Sequence, residues 1–166
     1  MNHVRSKEEV ADLYRRHGSM VYQICLMLLK NVPDAEDATQ TVFRKVMEQD
    51  KPFRDPEHEK AWIIRVTINE CKDVLKSGWR RRSVPLDELI EREVPFLPSE
   101  DTGVLAAVQR LPVRYREAVY LYYYEGYNAE EIAAMVGAKP AAVRQRLARA
   151  REKLRKELEG SGYETI

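Results

Sequence analysis

NAEEIAAMVGAKPAAVRQRLARAREKLRK, residues 128–156, decides how this chain folds. Asn128 carries a helix-capping side chain, and Glu131 stands three positions on at capping-box spacing, so a helix is expected over 129–136. Gly137 supplies a left-handed stop. A second helix then opens at Pro140, after a turn of only Gly137, Ala138 and Lys139. In that helix Val143, Leu147, Ala150, Leu154 and Leu158 recur at spacings of three and four, which lays them in one stripe facing the first helix. The other faces hold Lys139, Arg144, Arg146, Arg149, Arg151, Lys153, Arg155 and Lys156 against the single acid Glu152, a positive surface suited to phosphates. Ala141, Ala142, Gln145, Ala148 and Arg149 lie most nearly opposite the stripe. The N-terminal half of such a helix enters a major groove, where Gln145 and Arg149 can hydrogen-bond base edges. A basic helix in a bundle can also be merely solvated, but the short turn, the caps and the lack of balancing acids favour DNA.

Composition bounds the rest. The chain has 166 residues, enough for one ordinary domain or two small ones, and two is the expectation. Its 28 Lys and Arg balance 27 Asp and Glu, so attraction to nucleic acid must come from local clusters. Cys25 and Cys71 lack a CxxC partner or a His spacing, which argues for reduced core cysteines and against a metal site or a disulfide framework. His3, His17 and His58 are scattered, and no HExxH, GxxxxGK[ST] or GxSxG occurs. Neither catalysis nor a cofactor is expected. No apolar run approaches the roughly 20 residues of a membrane span, and Met1–Ser6 lacks a signal-peptide core, so a soluble, cytoplasmic protein is expected.

Helical periodicity runs through the N-terminal half. Val10, Leu13, His17, Val21, Ile24, Cys25 and Leu28 describe one amphipathic helix from about Lys7 to Lys30. Asn31 to Pro33 interrupt it, and a second helix restarts with Asp34, Glu36 and Asp37 at its positive end and Ala35, Ala38, Val42 and Val46 on one face. After a Pro-punctuated loop over 50–56, a third helix is expected from about Glu57 to Ser77, with Ala61, Ile64, Ile68, Cys71 and Leu75 as its core face. The opposite stripe is Trp62, Arg65, Val66, Asn69, Asp73 and Lys76. Behind it come Trp79, Arg80, Arg81 and Arg82, a run able to grip a phosphate backbone while an indole stacks on an unpaired base. Trp62 packed on a neighbouring helix and a solvated arginine run explain the same residues equally well. From Ser83 to Asp101 the chain turns acidic and Pro-interrupted, which reads as a linker. Beyond it Val104, Leu105, Val108 and Leu111 begin a helix stopping at Pro112, and Tyr115, Val119, Tyr122 and Tyr123 continue in another that ends near Gly126. The fold class expected is all-α, with two small helical domains at 1–82 and 102–166 joined by 83–101.

Four segments in this order resemble a known family. Asp34-Ala35-Glu36-Asp37 with Gln40, Val42 and Phe43; Ala61-Trp62 with Arg65, Asn69, Asp73 and Leu75; Leu111-Pro112 with Arg116-Glu117 and Glu125-Gly126; and Glu131-Ile132-Ala133 with Gly137, Val143, Arg146-Leu147 and Arg149-Ala150-Arg151 are similar to the extracytoplasmic-function (ECF) group of bacterial sigma factors. The resemblance covers nearly the whole chain and implies two helical domains, regions two and four, that recruit core RNA polymerase to a promoter. It implies that Asp37, Gln40, Thr41, Phe43 and Arg44 dock on the clamp helices of the largest polymerase subunit, with the flap of the second largest as a further contact. It places Trp62, Arg65, Asn69, Asp73, Lys76, Arg80, Arg81 and Arg82 at the melted −10 element. It assigns the −35 duplex to Lys139, Arg144, Gln145, Arg146, Ala148 and Arg149, threads the linker through polymerase, and implies an anti-sigma factor as a further partner. The chain departs from the usual pattern at Thr41, where a glutamate is common, and at Lys139-Pro140-Ala141-Ala142, which replaces a hydroxyl-capped helix start. A stand-alone helix-turn-helix regulator is the rival reading, and it leaves helix 33–49 and the Trp62–Asp73 stripe unused.

Overall fold

A computed structural model describes residues 5–82 and 102–160, in two units, and every regular element among the described residues is a helix. The expected linker, 83–101, lies outside the described residues. The first unit packs three helices pairwise: α1 (Lys7–Leu29), α2 (Val32–Glu48) and α3 (Pro56–Arg82). Ser6 caps α1 by accepting from the Glu9 N–H at 3.1 Å. At its other end Lys30 adopts the left-handed conformation (φ 58°) and returns its N–H to the Leu26 carbonyl. That geometry suits glycine better than lysine, and it reverses the chain within two residues. Asn31 then caps α2 by accepting from the Asp34 N–H at 2.9 Å, with Pro33 in the first turn.

Burial follows the expected stripes of α1 and α2. Val21, Ile24, Cys25 and Leu28 meet Ala35, Ala38, Val42 and Val46, all inaccessible to solvent or nearly so. On α3 the core face is rotated from the expected one. Ile63 and Thr67 join Ile64, Ile68 and Cys71 inside, while Ala61 and Leu75 are only partly covered. Each fully buried Ile or Leu contributes about 1.5–3 kcal/mol of transfer free energy. Thr67 satisfies its hydroxyl by donating to the Ile63 carbonyl at 2.7 Å. Cys25 and Cys71, distant in sequence, come together here as free buried thiols, and the hydrogen bond from Cys71 holds the Cys25 thiol below its ordinary range. Helix α3 also runs five residues past the expected stop at Ser77. Gly78 weakens a helix by about 1 kcal/mol without ending it, and no proline intervenes before Pro85.

In the second unit α4 (Thr102–Gln109) and α5 (Val113–Val119) lead through a π-helical turn, Tyr120–Tyr124, to α6 (Ala129–Val136) and α7 (Pro140–Gly160). Arg116 joins the first two. It is buried and donates to the Leu111 carbonyl at 2.8 Å and the Gln109 carbonyl at 3.2 Å, closing the end of α4. Burial lowers its pKa to about 10, which still leaves it charged at neutral pH. In the π turn the Glu125 N–H returns to the Tyr120 carbonyl, one residue further than in an α-helix. The 3.6-residue stripe expected through Tyr122 and Tyr123 therefore fails: Val119, Tyr120 and Leu121 are buried, whereas Tyr122 and Tyr123 stand exposed.

One polar cluster ties α1 to α3 in the first unit. Glu59 accepts from His17 Nε2 at 2.8 Å and from Arg16, which also binds Asp12 at 2.9 Å. Burial raises the Glu59 carboxyl, but the bonds from Arg16 and His17 outweigh it and hold the group below its ordinary range. A carboxylate lowered on folding contributes stability that is present above its unfolded pKa and lost as pH falls through the folded value. Unfolding free energy measured by urea titration should therefore decline as pH drops below about 5, and Glu59→Gln should flatten that decline. An unchanged slope in the variant would remove Glu59 from the acid response.

Candidate nucleic-acid interfaces

The second unit builds its candidate surface from local chemistry. Asn128 Oδ1 accepts from the Glu131 N–H at 2.8 Å, and Glu131 Oε1 accepts from the Asn128 N–H at 3.0 Å, so α6 starts on a complete capping box. It ends on Gly137 at φ 72°, which non-glycine residues adopt only with strain. Helix α7 begins three residues later and buries Val143, Leu147, Ala150 and Leu158, with Leu154 half-covered. Lys139, Ala141, Arg144, Gln145, Ala148 and Arg149 are thereby left exposed, and Arg146 is half-exposed.

The charge on α7 is less uniform than the sequence implies. Arg144 pairs with Glu130 of α6, an acid from the neighbouring helix that a count along α7 overlooks. Arg155 is held by Glu152 at 2.6 Å and by Glu159 at 3.0 Å. Arg151 lies over the Tyr122 and Tyr123 rings at 5.6 and 5.8 Å and donates to Tyr123 Oη at 2.6 Å. Lys153 sits 6.0 Å from the Tyr115 ring. Among the described residues Lys139, Arg146 and Arg149 meet neither an acid nor an aromatic ring, so the cations without such a partner stand on, or just before, the N-terminal half of the helix. An exposed pair such as Arg144–Glu130 contributes only about 0–1 kcal/mol, so a phosphate can replace the carboxylate.

In the first unit the expected stripe of α3 is exposed at Arg65, Asn69, Asp73 and Lys76, with Trp62 half-buried at its start. Trp62 packs on Phe53 at 5.5 Å, and Phe53 meets His58 edge-on at 5.7 Å. Arg5 covers Phe53 from another side at 4.9 Å while bonding the Val46 carbonyl, Gln49 and the Lys51 carbonyl. Sequence reasoning missed Phe53 and Arg5. The available signal was an aromatic between Lys51 and Arg54 in the loop just before Trp62. Arg80, Arg81 and Arg82 continue α3 as backbone, and their side chains, like that of Trp79, lie outside the described residues.

The third candidate surface is on α2. Asp37, Gln40 and Arg44 are exposed, and Thr41 is half-covered, bonded to the Asp37 carbonyl at 3.1 Å and to Arg44 at 3.4 Å. Phe43 departs from the expectation that it faces a partner. It is 7% exposed and lies 5.0 Å from the Tyr14 ring, because it stands on the border where α2 meets α1.

Residues 13–81 match the family Sigma-70 region 2, and residues 102–154 match Sigma-70, region 4. The RNA polymerase sigma factor SigV of Bacillus subtilis is 30% identical over 86% of this chain and 86% of its own length. The chain belongs to the ECF group of the sigma-70 family. This sigma factor is also 33% identical to the ECF RNA polymerase sigma factor SigE of Mycolicibacterium smegmatis, over 93% of the chain but only 63% of that relative. Its fold is similar to that of the sigma factor RpoE crystallised with the anti-sigma factor NepR from Bartonella quintana (TM-score 0.75, 22% identity, 93% of this chain and 98% of that one). It is also similar to CnrH in complex with the cytosolic domain of CnrY (TM-score 0.63, 25% identity, 93% and 90%). The region 2 match accounts for the half of this sigma factor that a stand-alone regulator would leave unused. No helix among the described residues is long and apolar enough to cross a membrane.

The Phe53 packing is directly testable. In a Trp79→Phe background, which leaves Trp62 as the sole indole, Phe53→Ala should uncover Trp62 and red-shift its emission. An unshifted spectrum would mean that Phe53 does not cover it.

Proposed function

We propose that this sigma factor places core RNA polymerase on promoters by dividing the work between its two units. In the second unit α7 enters the major groove at the −35 element, with Lys139 and Arg146 on phosphates and Gln145 and Arg149 on base edges. Arg144 exchanges Glu130 for the DNA backbone, and Ala148 allows close approach. The observation that carries this reading is that Lys139, Arg146 and Arg149, on or just before the N-terminal half of α7 and outside its buried Val143–Leu147 stripe, meet neither an acid nor an aromatic ring among the described residues. Lysine at 139 in place of a hydroxyl leaves phosphate binding at the helix start to backbone N–H groups and an ammonium.

In the first unit the Trp62, Arg65, Asn69, Asp73 and Lys76 face of α3 receives the unpaired −10 strand, and Arg80, Arg81 and Arg82 extend the contact. An unpaired strand offers base faces to an aromatic side chain and Watson–Crick edges to amide and carboxylate groups. Melting needs no catalytic residue, because binding free energy for the open strand drives it. Asp37, Gln40, Thr41 and Arg44 on α2 dock on the clamp helices of the largest polymerase subunit, and the second unit meets the flap. The halves 1–82 and 102–166 act through the 83–101 linker. The protein acts in the cytoplasm by binding rather than catalysis, needs no cofactor, and is held in check by an anti-sigma factor, as the complexes of RpoE and CnrH support.

Reconstituted holoenzyme should initiate at promoters recovered by selection from random DNA, whereas the chain alone should not. Arg149→Ala should weaken −35 duplex binding about 5- to 100-fold, the range for one good base contact. Unchanged affinity and sequence preference would exclude Arg149 from the reading set. Asn69→Ala with Asp73→Ala should leave core association intact and abolish permanganate-reactive thymines in the melted region. Wild-type reactivity would refute the strand-capture role of α3.

A further inference from the structure

Tyr14 is the most exposed of the large hydrophobic residues described, at 56%, yet it is not a free side chain. Its ring lies against the backbone of its own helix one turn on, so close that a Cβ on Gly18 would meet ring carbons at 3.4 and 3.5 Å. The ring also meets that of Phe43, 5.0 Å away and inclined at 61°. Tyr14 is therefore held between α1 and α2 with one face outward. The neighbours of Phe43 along α2 are Gln40, one turn before, and Met47, one turn after and 39% exposed. These join the ring to the face bearing Asp37 and Arg44.

We infer that Tyr14 is an anchor of the polymerase-docking surface, and that Phe43 is a positioning residue acting through it. The inference rests on the reading of α2 as the docking face. That face is polar along Asp37, Gln40 and Arg44, and polar contacts on an exposed helix give register and rate rather than much affinity. Protein interfaces draw their affinity from a few preorganised aromatic or arginine side chains ringed by polar neighbours. Tyr14 has that setting: its ring already rests on Gly18 and Phe43 before a partner arrives, which reduces the rotamer freedom lost on binding. The residue that supports it is also the one on the α2 face that burial withholds from the partner. Phe43 thus contributes to docking without touching polymerase, which separates its role from those of Asp37 and Gln40. Met47, exposed one turn after Phe43, adds a second apolar side chain on α2.

The test measures the affinity of the full chain for core polymerase, together with its melting temperature. Tyr14→Ala should weaken binding by about tenfold or more with little change in melting, while Tyr14→Phe should bind as wild type. Phe43→Leu should weaken binding in the wild-type background and add nothing in the Tyr14→Ala background, because its contribution passes through that ring. An additive loss would overturn the positioning role. Asp37→Arg serves as the probe of the face itself. If it abolishes association while Tyr14→Ala binds normally, the docking face stands and the anchor is refuted. If both variants bind normally, the docking face falls and the anchor with it. Loss with Tyr14→Ala alone keeps the anchor and moves the docking surface onto α1.

Discussion

Burial of Val143, Leu147 and Ala150 fixes the rotation of α7 about its axis, and the functional face is whatever that rotation leaves outside. A helix turns 100° per residue, so a core that gripped the neighbouring position would point Arg149 and Gln145 elsewhere. The same constraint governs α3, where Ile64, Ile68 and Cys71 face inward and Arg65, Asn69 and Asp73 consequently line the opposite side. The polar faces need no internal partners to be well placed. Their order is inherited from the apolar stripes behind them, so the faces proposed to meet nucleic acid keep their placement without a ligand.

Charge then selects within the exposed set. Eight cations along α7 suggest a uniformly positive rod, but acids from α6 and from α7 itself neutralise Arg144 and Arg155, and tyrosines engage Arg151. Such exposed pairs are worth little in water, and their effect is spatial. They leave Lys139, Arg146 and Arg149 without an acid or a ring as partner, toward the end of the helix whose backbone N–H groups add positive partial charge. Arg151 instead links α7 to the π-helical turn, so it belongs to the architecture of the unit more than to its electrostatics.

What could be read from the sequence was what is locally determined. The Asn128–Glu131 capping box, the Gly137 stop, the Pro140 start and the α1–α2 break at Asn31 each follow from residues within four positions of one another, and each occurs where expected. The two-unit all-α plan and the exposed side of α3 were legible from periodicity. Contacts between segments were not. The family resemblance offers Phe43 to a partner, and nothing in its sequence neighbours reveals Tyr14 packed against it. Phe53 looked like loop, since its packing on Trp62 and beneath Arg5 joins three separate stretches of chain. Ile63 and Thr67 were missed because a helix packed against two others buries a wider arc than one amphipathic stripe predicts. Tyr122 and Tyr123 failed for a different reason: the π turn changes the period on which any such projection depends.

On the proposed reading the first unit holds polymerase and an opened strand together, and its three helices share a single core. Unstacking a base pair costs about 1.4 kcal/mol per step, so strand capture succeeds only if little of the binding free energy is lost to ordering the protein. Asn69 and Asp73 on a long, well-buried helix lose mainly side-chain freedom, whereas the same groups on a loop would also have to order backbone at about 1–2 kcal/mol per residue. The Lys45–Glu70 bridge at 2.8 Å and the Glu59 cluster fasten α3 to α2 and α1 on its exposed edges. The helix proposed to dock and the helix proposed to capture the strand thus share one core, so the placement of the side chains on both is set by the same packing.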